Sequence, residues 1–109
     1  MADTIKILGQ AALSATTLTD IYTVPGATSA AVSSVVVCNR GTSDTTFRLS
    51  VAIAGAADAN AQYLYYDQPI YANDTFVATI GLSLATTDKL RAYAGNANLS
   101  VNVFGTEVA

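Results

Sequence analysis

From Thr46 to Ile53 the chain alternates strictly between two kinds of side chain. Phe47, Leu49, Val51 and Ile53 fall on one side, and Arg48, Ser50 and Ala52 on the other. Period-two alternation defines a strand with one buried and one exposed face. The pattern recurs over Thr75 to Leu82, with Phe76, Ala78, Ile80 and Leu82 together. It recurs again over Leu99 to Phe104, with Leu99, Val101 and Val103 inward and Ser100 and Asn102 outward. Strand-forming stretches at Ile21–Val24, Ala31–Cys38, Gln62–Tyr66 and Lys89–Tyr93 complete the set, and Ile5–Leu8 adds an edge strand or an arm. Turn signals separate these stretches: Pro25-Gly26, Asn39-Arg40-Gly41, 55–60, Asp67-Gln68-Pro69, Asn73-Asp74, Thr87-Asp88 and Gly95-Asn96. The pattern predicts an all-β fold, a β-sandwich or jelly roll of seven to eight short antiparallel strands, with a closed barrel as the main competitor. At 109 residues it predicts one domain, 1–109, with 1–10 as an N-terminal arm or edge strand.

Ala31–Cys38 stands apart from the other strands. Val35 and Val37 point one way and Val36 and Cys38 the other, so both faces of this strand are apolar. That requires a second cover, from a loop of the same chain or from a neighbouring subunit. Cys38 itself reads as a small buried hydrophobe, since a lone cysteine forms no internal disulfide.

Charged residues are 12% of the chain, about half the usual ~25%. Much of the apolar 51% is alanine, which has no rotamers to freeze when a neighbour covers it. Both features suit a subunit packed among others. The net charge of −3 and the absence of any basic run argue against a nucleic-acid partner. No stretch reaches the ~18 apolar residues of a membrane span, and Met1-Ala2-Asp3-Thr4 does not read as a signal peptide, so synthesis in a cytoplasm is expected.

The residues of chemistry are sparse. With no histidine there is no ordinary base for a serine or cysteine nucleophile, and one cysteine cannot build a zinc or iron site. No Gly-rich phosphate loop is present. Asp58, Asp67, Asp74 and Asp88 sit in predicted turns, where aspartate bonds to backbone amides, so neither a hydrolase pair nor a calcium loop is expected of them. The reading is a protein without catalytic, cofactor or metal residues. The candidate contacts are interface residues. Ile5, Ile7 and Leu8 form an apolar N-terminal strand that could join a neighbour's sheet edge or stay in its own sheet. Tyr63, Tyr65 and Tyr71 belong to a tyrosine cluster with Tyr66, and alternation groups Tyr63 with Tyr65 against Leu64 and Tyr66. Such a cluster serves cross-strand packing, a protein interface, or stacking on sugar rings. Lys89 and Arg91 share a face with Tyr93, as a solvated edge or as a contact for an acidic neighbour.

Several phrases together carry a family resemblance. They are Leu8-Gly9-Gln10, Asp20-Ile21-Tyr22-Thr23-Val24-Pro25, Val35-Val36-Val37-Cys38-Asn39-Arg40-Gly41, Phe47-Arg48-Leu49-Ser50-Val51, Tyr71-Ala72-Asn73-Asp74-Thr75 and 93–100. Across nearly its whole length the chain resembles small virion proteins of tailed bacteriophages. The resemblance implies a structural subunit located in the virion, either a capsid decoration (cement) protein or a tail, baseplate or fibre component with a host-surface glycan role. Small size and low charge favour decoration. It further implies a homo-oligomer, a trimer by preference, with the major capsid protein or other virion proteins as partners. No functional residue carries over from the family.

Overall fold

The computed structural model describes residues 3–109. Nine strands run through them: β1 (Asp3–Ala12), β2 (Thr19–Thr23), β3 (Ser29–Asn39), β4 (Thr45–Ala52), β5 (Tyr63–Ile70), β6 (Thr75–Ala78), β7 (Leu82–Leu84), β8 (Lys89–Ala94) and β9 (Leu99–Val108). They form a β-sandwich of two antiparallel sheets. One sheet has the order β1-β9-β3-β6, with β7 also paired to β3; the other is β2-β8-β4-β5. Most connections cross from one sheet to the other, so strands adjacent in sequence face each other across the core.

The core follows from the alternation. β9 turns Leu99, Val101 and Val103 inward, and β8 does the same with Leu90, Ala92 and Ala94. Phe47 joins the sheets: its ring lies 5.1 Å from Phe76 in the opposite sheet and 6.2 Å from Tyr65 in its own. The stretch predicted as one strand from Thr75 to Leu82 is two, β6 and β7, because 79–81 leaves the ladder. The inward parity of Phe76, Ala78, Ile80 and Leu82 nevertheless persists, with Ala78 buried and the other three partly buried against the core.

β4 departs from its simple reading at its far end. Ile53 is 81% exposed, while Ser50 and Ala52, expected outside, are buried. The strand stops at Ala52, and Ala54 and Gly55 take positive φ values of 53° and 68°. The chain thereby folds back, and 53–62 lies across the outer side of β4. Arg91 holds it there, donating to the carbonyls of Ala56 (2.7 Å) and Gly55 (3.2 Å) and pairing with Asp20 at 2.9 Å. Arg91→Met leaves those carbonyls without their donor and Asp20 with Lys89 alone. A loss of about 1.5–3 kcal/mol in unfolding free energy is expected, the range for hydrogen bonds to a charged group, read from denaturant midpoints.

Asp67-Gln68-Pro69 is not a turn but part of β5, with Asp67 at φ 52° where the strand bulges. An edge strand tolerates Pro69, which has no amide proton to donate. Asp74 and Asp88 do serve loops. Asp74 accepts from Thr75 N, and Asp88 accepts from Ala54 N and Ala85 N, each at 2.8–2.9 Å. Cys38 is half-buried on the outer side of β3 rather than in the core.

Candidate interaction surfaces

The two outer faces of the sandwich have opposite character. On the four-stranded sheet, cross-strand register brings Asp20, Arg91, Lys89, Arg48 and Tyr93 to one side. Asp20 bridges Lys89 (2.8 Å) and Arg91 (2.9 Å). The hydrogen bond from Lys89, joined by that from Arg91, holds the Asp20 carboxyl below its ordinary value of 3.8 against a weaker opposing effect of burial. Arg48 donates to Asp67 at 2.7 Å and lies between the rings of Tyr66 (4.0 Å) and Tyr93 (4.4 Å). Tyr66 in turn meets Tyr63 edge-on at 5.0 Å. Beside them is a shallow hollow of about 280 Å³ lined by Asn60, Tyr63 and Tyr66.

Along its strands the outer face of the five-stranded sheet carries, among the described residues, no charged side chain apart from Asp3 at one corner, with exposed Arg40 just past the end of β3. Register places Ile5, Ile7, Gln10 and Ala12 of β1 beside Thr106, Phe104, Asn102 and Ser100 of β9. Ala31, Ser34, Val36 and Cys38 of β3 follow, then Thr75, Val77 and Ser83. Ile5 is 87% exposed, Val77 55% and Ile7 52%. Val36 and Cys38, the residues that suggested a second cover, lie on an interior strand of this face and remain partly exposed. The alternative of a covering loop from the same chain is therefore not what the fold provides among the described residues.

The sequence-predicted contact residues do not converge on one site. Ile5 and Ile7 lie on the uncharged face. Leu8 does not: β1 and β9 skip a register position there, and the extra residue drops its side chain into the core at 8% exposure. Its place in a surface contact is corrected accordingly. Tyr63 and Tyr65 fall on opposite sides of the sheet, because β5 skips Leu64 between their pairings with Ser50 and Leu49. Tyr65 points inward against Phe47 and Phe76, and is also withdrawn from the surface. Tyr63, Lys89 and Arg91 occupy the charged face, where Arg91 is buried beneath 53–62 and engaged within the chain. Tyr71, 62% exposed, stands in the turn between β5 and β6. Phe104 and Val77 went unrecognised as surface contacts; the two-sided apolarity of β3, their neighbour in register, was the available signal.

A third set of groups ties β1, β2 and β9 together. Tyr22 donates to Glu107 at 2.6 Å, and Lys6 pairs with the other Glu107 oxygen at 3.2 Å. The bond from Tyr22, then that from Lys6, lowers Glu107 below its ordinary 4.5, while burial foremost and Glu107 second raise the Tyr22 phenol above its ordinary 10.0. Depressed carboxyls add stability that is complete above their unfolded values and is lost as pH falls through the lower folded ones. A raised phenol adds stability that is complete below pH 10.0 and is lost as pH rises beyond it. The thermal midpoint is therefore expected to be level near neutrality, to fall below about pH 4.5 and to fall again above pH 10.0. Scans of Glu107→Gln should show a shallower decline at both ends; unchanged slopes would exclude this network as their source.

Among the described residues, no three metal-ligating side chains gather at one place. No helix is long and apolar enough to cross a membrane. A further hollow of about 390 Å³ beside Ser29–Ala31, Ser83–Ala85 and Val108 is lined by no charged group.

No family model matches the chain. No curated protein matches it either. Among solved structures the chain is similar, over 94% of its length, to a pentameric capsid protein isolated from metagenomic phage sequences. The two are 17% identical with a TM-score of 0.40, and the chain spans 61% of that protein's length.

Proposed function

We propose that this chain is a non-enzymatic structural subunit of a phage particle, of the capsid decoration type, which holds to its neighbours through the outer face of the five-stranded sheet. The observation that carries this reading is that face: broad, free of charge along its strands except at Asp3, and carrying Val36 and Cys38 on an interior strand. Covering it removes apolar surface from water without stripping hydration from ions. The molecule measures 45 by 27 Å across its two longer axes, enough to supply the about 800 Å² that each partner gives a stable interface. The interleaved orders β1-β9-β3-β6 and β2-β8-β4-β5 read as a jelly roll, a winding that viral capsid domains and lectins share. The sequence resemblance to small phage virion proteins supports the same placement, with the major capsid protein and further copies of this chain as partners. Symmetric repetition of the contact around a particle lets weak individual contacts sum through avidity.

The test is add-back to particles that lack the protein. Such particles should lose heat resistance, regain it when the purified chain is added, and fail to regain it with Val36→Arg. Arg48→Ala, altered on the other face, should restore it fully. Heat resistance that is indifferent to the protein would remove the reading.

A second reading, a tail or fibre component that binds host-surface glycans, is favoured by one feature. Tyr66 is 59% exposed beside the hollow that it shares with Asn60 and Tyr63, offering a ring and an amide to a sugar. A glycan array probed with the wild type and Tyr66→Ala decides it: binding lost in the variant supports this reading, and no binding by the wild type removes it.

A further inference from the structure

An exposed edge strand presents a row of unpaired backbone groups that another strand can join. Three of the four sheet edges carry a guard against this. β5 contains Pro69, two breaks in register and Asp67 at positive φ. The edge formed by β6 and β7 is interrupted, its pieces four and three residues long. β2 has five residues and a register shift between Asp20 and Tyr22. β1 differs: it has ten residues, and from Asp3 to Ile7 it follows β9 in unbroken register. Among the described residues, no backbone partner lies on the other side of that stretch. Further along, at Gly9, β2 comes close to the inner side of β1, where a side chain would strike the Ile21 carbonyl oxygen. Lys6 is a weak guard, because it projects on the side of Gly105 and Glu107 and is ion-paired there. Ile5 and Ile7 project on the other side, onto the uncharged face.

We infer that β1 pairs antiparallel with β1 of a second copy about a two-fold axis, joining two five-stranded sheets edge to edge. This rests on the structural reading above and names the first partner in it. An identical strand is the occupant because the pairing satisfies both free backbone rows at once and continues the apolar row of Ile5 and Ile7 across the joint, with Asp3 the one charge beside it. A two-fold axis perpendicular to the sheet sets outer residues opposite outer residues. Centring on Ile5 places Ile5 opposite Ile5 and Asp3 opposite Ile7. Centring on Lys6 places two lysines opposite each other, which like-charge repulsion disfavours. The register is therefore centred on Ile5. The pair departs from the trimer that the family resemblance implies, and mass distinguishes the two.

Sedimentation equilibrium of the full chain should give the mass of two copies. Ile5→Lys combined with Ile7→Lys should give one copy, with unchanged circular dichroism because both side chains are exposed. In a Cys38→Ser background, Ile5→Cys should form a disulfide between copies on mild oxidation, since directly opposed residues lie about 4.5–5.5 Å apart, within disulfide range. Val77→Cys, at the far side of the same face, should not. A wild-type mass of one or three copies overturns the pairing. So does a dimer that survives both lysines and leaves Ile5→Cys uncrosslinked. The add-back experiment with Val36→Arg is read independently, so the pairing can fail while the structural role stands.

Discussion

Phe47→Ala should lower the free energy of unfolding by about 3–5 kcal/mol, the cost of truncating a buried phenylalanine. Phe47 is 1% exposed and touches both sheets through Phe76 and Tyr65. Its removal opens a cavity at the seam, and neither sheet can close over it without giving up strand register. Against the 5–15 kcal/mol typical of a domain, that loss leaves a protein near the edge of folding. Urea titration should show a much lower midpoint with an unchanged slope. Phe47→Leu, which keeps most of the volume, should cost well under half as much. A Phe47→Ala loss below about 1 kcal/mol would contradict the aromatic seam as the centre of the core.

Gly105→Ala should cost about 3 kcal/mol, at the upper end of the overpacking range, although it adds a single methyl group. Gly105 is buried near the end of β9, between Lys6 of β1 and Val32 of β3. A Cβ there would overlap the Ala31 carbonyl oxygen and approach Leu8 Cδ1 and Val32 Cα at 3.0 Å. Two of these atoms are backbone of a paired strand, so relief requires β3 to move. Both neighbouring ladders skip a residue close by, Leu8 in β1 and Ser33 in β3, and the absent side chain lets the bulged strands approach. Thermal unfolding of Gly105→Ala against Gly26→Ala, whose Cβ would meet nothing within 4 Å, isolates the steric effect. Equal midpoints would refute the close approach.

These two residues also mark how far the sequence could be read. Alternation identified β4 and β9, and with them Phe47, Leu49, Leu99, Val101 and Val103 as inward-facing, because period two is a direct consequence of strand geometry. Alternation fails wherever one residue is inserted, since a bulge reverses every later side chain. Nothing in the local composition marks Leu8, Ser33 or Leu64 as extra residues. Leu8 therefore passes from the surface to the core, and Tyr63 parts from Tyr65. The cover over Ser50 and Ala52 was equally hidden. It depends on Arg91 reaching the carbonyls of Gly55 and Ala56, 36 and 35 residues away in the chain. The requirement that β3 be covered on both sides was legible in Val36 and Cys38. The fold sharpens it: one cover is the opposite sheet, and on the other side Val36 and Cys38 stay partly open among the described residues, where the proposed function places a neighbour.

Electron cryo-microscopy of the intact particle is the most direct measurement of that last point. Density for this chain is expected on the particle, with Val36, Val77 and Phe104 buried against neighbouring subunits and the face bearing Arg48 and Tyr66 turned to solvent. A particle without this chain, or one that holds it by the Arg48 face with the uncharged sheet open to water, would contradict the account.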